Sequence, residues 1–516
     1  MYELNFWKMA EEQPQHIAVV EHDGREITAG ELLGSANRLV HALRAKGLQK
    51  GDAIAMVLAN SAPVLELYMA AVQAGFYVTP ISGHLSPPEI AYIVQDSGAK
   101  VVVCSERYAD LVRTALDSLQ FPADGRFVVG AAPGFTSFEA WKADYPTTAP
   151  SDRRTGASMT YSSGTTGRPK GVRRPLVDAP PEPVAHSNAS FLMLFGIMPR
   201  SGGVHLVVAP LYHTAVLNFC TNHLHMGHTI VIMDKWTPEG TLERIDRYKV
   251  TASHMVPTHF HRMLALPAEV KAKYNLSSLR TMIHSAAPCP VETKRKMLDW
   301  WGPVIFEYYA ASEGGGTTAT PQDWLAHPGT VGKAWPISQL KILDDEGNEK
   351  AVGEPGTVYM SMGNHKFEYH KDQQKTQNAW RGSFFTVGDV GYLDKDGFLF
   401  LCDRKIDMII SGGVNIYPAE IEGALLGHPA VRDAAVFGIP NEDWGEEVMA
   451  VLEVNPEYAA GPELAQQIQA FLKEGLAGYK IPKRIEFTEA LPRDPNGKLH
   501  KRKLRDPFWV GRSRAI

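Results

Sequence analysis

The sequence predicts an α/β protein. We expect a large N-terminal domain of layered α/β subdomains with a small β-rich part, followed by a smaller α+β C-terminal domain. Three observations lead there. Helix-periodic segments alternate with short apolar runs in the first half, the pattern of α/β layers. The chain has 516 residues, a length that corresponds to about three domains or subdomains. The pattern then changes twice, to short strands and turns around 330–400 and to a smaller mixed unit after Asp403.

The elements follow in order. "ITAGELLGSANRLVHALRAKG" has helical periodicity, with Thr28 placed to cap its start and Gly47 to stop it. "AIAMVLAN" and "AKVVVCSE" read as short buried strands. A second series of strands follows in "VHLVVAPLYH", "HTIVIMDKW" and "VTASHMVP". Between 330 and 400, "KILDDEGNE", "GTVYMSM" and "FFTVGDVGYLDKDGFLFLCD" carry DDEGN and DKDG turns and predict hairpins. Beyond Asp403 a helix is predicted from about Pro418 to Leu426, then strands in "DAAVFGIP" and "EVMAVLEV", then the helix "ELAQQIQAFLKEGL". A boundary near 403–407 divides the chain into 1–403 and 404–516.

Composition narrows the function classes. The chain is 44% hydrophobic and 21% charged, with a formal net charge of −5. That balance gives no sign of nucleic-acid binding, so an anionic ligand must be held locally. Cys104, Cys220, Cys289 and Cys402 are scattered and form no C-x-x-C pair, which reads as a reduced, cytoplasmic protein. No leader-like segment opens the chain and no run of about 18 apolar residues occurs, so no integral membrane segment is expected. A homodimer is compatible with the sequence.

One stretch stands out: "YSSGTTGRPKGV", Tyr161 to Val172. Ser162, Ser163, Gly164, Thr165, Thr166 and Gly167 offer hydroxyls and approachable backbone N–H groups, and Lys170 adds a positive charge. Successive N–H groups form anion-binding concavities. A flexible Gly/Ser linker is the plainer alternative, against which the lysine and the strand-like "ASMTY" both argue. The spacing is not that of the G-x-x-x-x-G-K-[ST] phosphate loop.

This stretch resembles the phosphate loop of the adenylate-forming superfamily, which includes acyl-CoA synthetases, carrier-loading adenylation domains and luciferases. Three further segments resemble that family in its own order: "EYYAASEGGG" (307–316), "TVGDVGYLDKDGFLFLCDRKIDMIISGGVNIYPAEIE" (386–422) and "LPRDPNGKLHKRKLR" (491–505). The resemblance covers essentially the whole chain. It implies an N-terminal AMP-binding domain and a mobile C-terminal domain carrying a catalytic lysine. It implies a carboxylic acid and ATP as substrates, Mg²⁺ as the metal and CoA as the thiol.

The resemblance also assigns residues. The loop at Ser162–Thr166 with Lys170 grips pyrophosphate as it leaves. Tyr309 stacks on adenine, with Tyr308, Ala310 and Ser312 beside the nucleotide and Glu313 as the Mg²⁺-associated carboxylate. Ser285, Ala286 and Ala287 stand where the family often has Gly-Gly-Ala. Asp389 and Arg404 hold the ribose hydroxyls. Lys498 supplies charge to the attacking carboxylate and the α-phosphate. Ser411, Gly412 and Gly413 meet the CoA pantetheine. Ile406 occupies the pivot, where the family commonly has Asp or Lys. Read without the resemblance, Tyr309 is a core tyrosine, Asp389 a turn cap and "PNGK" at Lys498 a surface turn.

His213 in "PLYHTA", Ala286, Gly314 and Gly315 are expected along the acyl pocket, the small residues leaving room there. The expected pocket segments contain no Arg or Lys to pair with a second carboxylate, which favours an apolar acid: a medium or long fatty acid, or a bulky ring-bearing one. The pocket segments look like those of fatty-acyl and bile-acid or steroid-side-chain CoA ligases. Alternatives are a stand-alone domain loading a carrier protein, a non-catalytic nucleotide-binding relative, and a luciferase-like oxidation. Only 18 residues follow Lys498, so no carrier domain is expected there. The run "KLHKRKLR" is expected as a solvated helix face, with contact to CoA phosphates as the alternative. Gly314, Gly316 and Ala319 fit G-x-G-x-x-A, but no strand-to-helix context supports them. His223, His225 and His228 suggest zinc, but no Cys or carboxylate stands at structural spacing.

Overall fold

The structure is a computed structural model. It describes residues 4–162, 169–363, 366–494 and 497–510. By compactness the chain forms two units, residues 1–254 with 266–282 and 364–378, and residues 255–265 with 283–363 and 379–516.

The first unit carries two parallel sheets. One runs Thr136–Ser137, Arg126–Val129, Ala99–Ser105, Ala53–Val57, Tyr77–Pro80, Ala157–Ser158, with every pair parallel. Its central strands are buried along their length because helices cover them, so they are continuous apolar runs. In the other sheet Val204–Val207, Thr229–Ile232, Ile17–Val20 and Ala252–Met255 are parallel, and Glu26–Thr28 adds an antiparallel edge. The helix Ala29–Ala45 begins as its sequence predicts. Thr28 accepts from the Glu31 N–H, and the Glu31 carboxylate accepts from the Thr28 N–H, a reciprocal cap that satisfies two otherwise orphan donors. A small antiparallel sheet of Thr160–Ser162, Lys170–Arg173 and Glu368–Tyr369 frames the serine- and glycine-rich stretch.

In the second unit, Ile305–Ala311, Gly314–Ala319 and Lys333–Ala334 form antiparallel pairs. The predicted hairpins follow: Gln339–Leu343 with Gly356–Ser361, and Asp389–Leu393 with Leu399–Arg404. The C-terminal part is a sheet of Val414–Ile416, Ile409–Ser411, Gly445–Val454, Val431–Asn441 and Arg484–Phe487. Helices Pro418–Leu425 and Pro462–Gly475 cover it. Ile409, Ile421, Leu425, Val436, Ala450 and Ile468 form a core of its own there.

Candidate functional site

Strand pairing builds the centre of the site. Asp389 opens one strand and lies opposite Arg404, which ends the next. Arg404 Nε lies 3.6 Å from Asp389 Oδ1, and the Tyr309 hydroxyl donates to Asp389 Oδ2 at 2.6 Å. The Tyr309 phenol is pushed well above its ordinary value, by burial first and then by the Asp389 charge, so it stays a neutral donor. Tyr308 faces the other way along the strand and stacks on Trp335 with ring centroids 5.9 Å apart. Glu313 is half-buried and close enough to Tyr309 for its charge to act on that phenol.

Lys498 belongs to the same cluster. Its turn is pinned from both sides. The Lys498 N–H donates to Asp494 Oδ1 at 2.9 Å, and Arg493 grips Asp433 through two bonds of 2.6 and 2.7 Å while donating to the Gly497 carbonyl. Gly497 has φ +76°, and a Cβ there would lie 2.2 Å from the Thr258 hydroxyl, so only glycine fits. Burial, then the like charge of Arg404, pulls the Lys498 ammonium down from 10.5 to about 8, against Asp494, Asp407 and Asp389, which raise it. A tyrosine, two basic groups and a carboxylate from three distant stretches of sequence thus converge. That arrangement suits a polyol and a phosphate side by side.

The segment Ser285–Ala287 follows the buried strand Thr281–His284. Ala286 is exposed and sits at φ +73°, in the left-handed region that glycine enters without strain. The glycines after Glu313 are set by backbone conformation and close neighbours. Gly314 and Gly315 have φ +125° and +68°. A Cβ on Gly315 would lie 3.0 Å from Met360 Cβ and 3.5 Å from Phe385, and one on Gly316 would lie 2.4 Å from the Tyr309 carbonyl and 2.6 Å from Trp335. Neighbouring side chains and backbone already fill the space beside Gly315 and Gly316. At Gly315 and Gly316 a side chain would meet occupied space, so close packing calls for glycine there.

In the first unit, Lys170 Nζ donates to Asp372 Oδ2 at 2.7 Å. Asp372 is a partner that local sequence did not reveal. Ser163, Gly164, Thr165, Thr166 and Gly167 lie outside the described residues, as does the Ser162 side chain. His213 stands before the helix Thr214–His225, its ring 4.5 Å from that of Tyr212.

Ser411 pairs with Val414 across a two-residue hairpin formed by Gly412 and Gly413. Their φ values, +57° and +77°, are those of the turn whose twist matches a hairpin. A Cβ on Gly412 would strike Trp444 at 2.5 Å, whereas Gly413 faces open space. Trp444 itself is 53% exposed beside this loop.

Two family models match the chain: AMP-binding enzyme over residues 6–366, and AMP-binding enzyme C-terminal domain over 420–498. The chain belongs to the AMP-binding enzyme family. This adenylate-forming enzyme is of the acid–thiol ligase type, and its curated relatives span it end to end. It is 31% identical over 525 residues to a fatty acid–[acyl-carrier-protein] ligase, ScoC, of Streptomyces coeruleorubidus, covering 98% of this chain and 96% of that one. It is 32% identical over 499 residues to a feruloyl-CoA synthase of an Amycolatopsis species, covering 96% of each. Among solved structures it is similar to the anthranilate CoA ligase AuaEII in complex with anthranoyl-AMP, with a TM-score of 0.86 at 26% identity and 98% of each chain covered.

Other sequence readings resolve in this AMP-binding enzyme as follows. The basic run is a solvated face only in part: Arg502 and Lys503 are exposed, but two other basic residues turn inward. Lys501 pairs with Glu422 at 2.8 Å, and Arg505 is buried against Asp407 and the Ile406 carbonyl. Gly314, Gly316 and Ala319 lie on one strand of a hairpin, which removes the dinucleotide reading. His223 and His228 are buried, with their Nδ1 atoms 2.9 Å apart, and burial lowers both. Among the described residues no helix is long and apolar enough to cross a membrane.

Proposed function

We propose that this enzyme is an ATP-dependent acid–CoA ligase that activates a hydrophobic carboxylic acid, either a medium or long fatty acid or a bulky ring-bearing one. The observation that carries the reading is the meeting of Lys498 with Asp389, Arg404 and Tyr309. Asp389 accepts from the ribose hydroxyls and Tyr309 lies along the adenine. Lys498 places its charge between the acid's carboxylate and the α-phosphate. A carboxylate oxygen attacks the α-phosphorus, the bond to the bridging oxygen breaks, and pyrophosphate leaves with that electron pair. Lys498 stabilises the extra negative charge of the five-coordinate phosphorus.

Glu313 fits Mg²⁺. A single half-exposed carboxylate beside the nucleotide is the usual protein share when phosphates supply the other oxygens. The ion would offset phosphate charge. Lys170 and the stretch from Ser162 to Thr166 hold the departing pyrophosphate, Lys170 exchanging Asp372 for it.

In the second step a thiol sulfur attacks the acyl carbon and AMP leaves. We place a hinge at 403/404, with Arg404 and Ile406 at the pivot, so that residues 404–516 turn and bring Ser411–Gly413 to the thiol. A carrier-protein thiol is the second reading, favoured by the likeness to ScoC. Pyrophosphate exchange with a panel of acids, then AMP release with CoA or with a carrier protein, tests both. Acid-dependent exchange with CoA-dependent AMP release is expected. Exchange without release on CoA would overturn CoA as acceptor, and no exchange with any acid would overturn the proposed function.

A further inference from the structure

The second unit contains a buried charge cluster that the reaction scheme does not use. Glu307 Oε2 lies 2.7 Å from Lys294 Nζ and 3.3 Å from His284 Nε2. Lys294 and His284 are fully buried, and the Lys294 ammonium also lies 4.8 Å from the Trp324 ring centre. Burial alone pushes the Glu307 carboxyl up, but Lys294 and His284 hold it down to about 2, so the carboxylate stays ionised. His284 is kept neutral, by burial above all.

A buried ion pair is a poor way to gain stability, because desolvation offsets most of the attraction and an apolar pair of similar size serves as well or better. What the pair does supply is a fixed direction and distance. His284 and Glu307 each sit next to a segment assigned above to the nucleotide. His284 immediately precedes Ser285–Ala287, with Ala286 in its left-handed conformation. Glu307 is two residues before Tyr309 on the same strand, so the two side chains share a face. Tyr309 in turn holds Asp389. Lys294 belongs to the helix Val291–Trp301, so three elements meet on one carboxylate.

We propose that Glu307 and Lys294, with His284, are positioning residues for ATP: their buried pair sets the register between the Ser285–Ala287 segment and the Tyr309 strand. This rests on the nucleotide site proposed above. An apolar pair could fill the same volume but would not fix that register.

The test separates folding from positioning. Lys294→Met leaves a buried carboxylate without its cation and is expected to lower the melting temperature. The double variant Lys294→Met/Glu307→Leu removes both charges and is expected to recover it. Pyrophosphate-exchange kinetics and calorimetry with α,β-methylene-ATP are then read on the double variant. The expected result is a KM for ATP and a Kd for the analogue raised at least fivefold, with the KM for the acid within twofold of wild type. Recovery of ATP affinity together with the melting temperature would overturn the proposal, because the pair would then be only a filler of the core. A double variant that stays as unstable as the single one would also overturn it, since the pair would then be needed for folding itself. Absence of exchange in the wild type would instead strike the reading of the site.

Discussion

Replacing Lys498 by methionine should make the ligand-free protein more stable while abolishing adenylate formation. The lysine is held at about 8 in the folded protein, against an ordinary 10.5. Keeping its charge in that place costs about 3 kcal/mol as a ceiling; water at the site reduces this to about 1–2 kcal/mol. The direction with pH follows from which state holds the proton. Below about pH 8 the lysine is charged in both folded and unfolded chains, and the full cost falls on the fold. Between about 8 and 10.5 the folded chain releases its proton first, so the cost fades as pH rises. Urea titrations of wild type and Lys498→Met at pH 7 and pH 10 measure this. The variant should gain about 1–2 kcal/mol at pH 7 and much less at pH 10. Thioester formation from supplied acyl-adenylate should survive, because the charge is needed only while the α-phosphate is attacked. Destabilisation at pH 7, or an equal gain at both pH values, would refute the argument that burial and Arg404 strain this lysine.

Asp389→Ala should weaken ATP binding by about 1.5–3 kcal/mol, the range for charge-assisted hydrogen bonds, and raise the KM for ATP more than that for the acid; unchanged calorimetric affinity would return Asp389 to a structural role. Ala286→Gly should stabilise the protein by about 0.5–1 kcal/mol, since left-handed strain is removed and only part of it is offset by a more flexible unfolded chain; a urea midpoint that falls would count against strain at that residue. Gly413→Leu should spare pyrophosphate exchange and reduce CoA thioester output. Gly413→Asn, which tolerates the +77° backbone, separates strain from obstruction: normal output from Asn with loss from Leu indicates the pantetheine path, and equal loss in both indicates the smallness of the turn itself.

Local signals carried the fold well, because caps, apolar runs and turn chemistry are written within a few residues. Thr28 with Glu31, the Ala99–Ser105 strand and the DKDG hairpin are of that kind. Contiguous motifs singled out Tyr309, Asp389 and Lys498, which the fold brings close together. Pairings between residues far apart in the chain were not legible. Lys170 with Asp372, and Glu307 with Lys294 and His284, carry no mark in the flanking residues. Gly315 and Gly316 are ambiguous in a different way. A glycine in sequence signals either space or close approach, and only the positions of Met360, Phe385 and Trp335 decide for close approach. The basic run at 498–505 was legible only in part for a similar reason, since the partners of Lys501 and Arg505 lie in the 407–422 region while Arg502 and Lys503 are exposed.

The central claim is that the cluster of Tyr309, Asp389, Arg404 and Lys498 forms an acyl-adenylate from ATP and an apolar acid. Acid-dependent exchange of labelled pyrophosphate into ATP, without any thiol, measures that step alone. The account predicts exchange with long-chain or ring-bearing acids, lost in Lys498→Met and retained in Gly413→Asn. Exchange that is undiminished in Lys498→Met, or absent from wild type with every acid in the series, would contradict it.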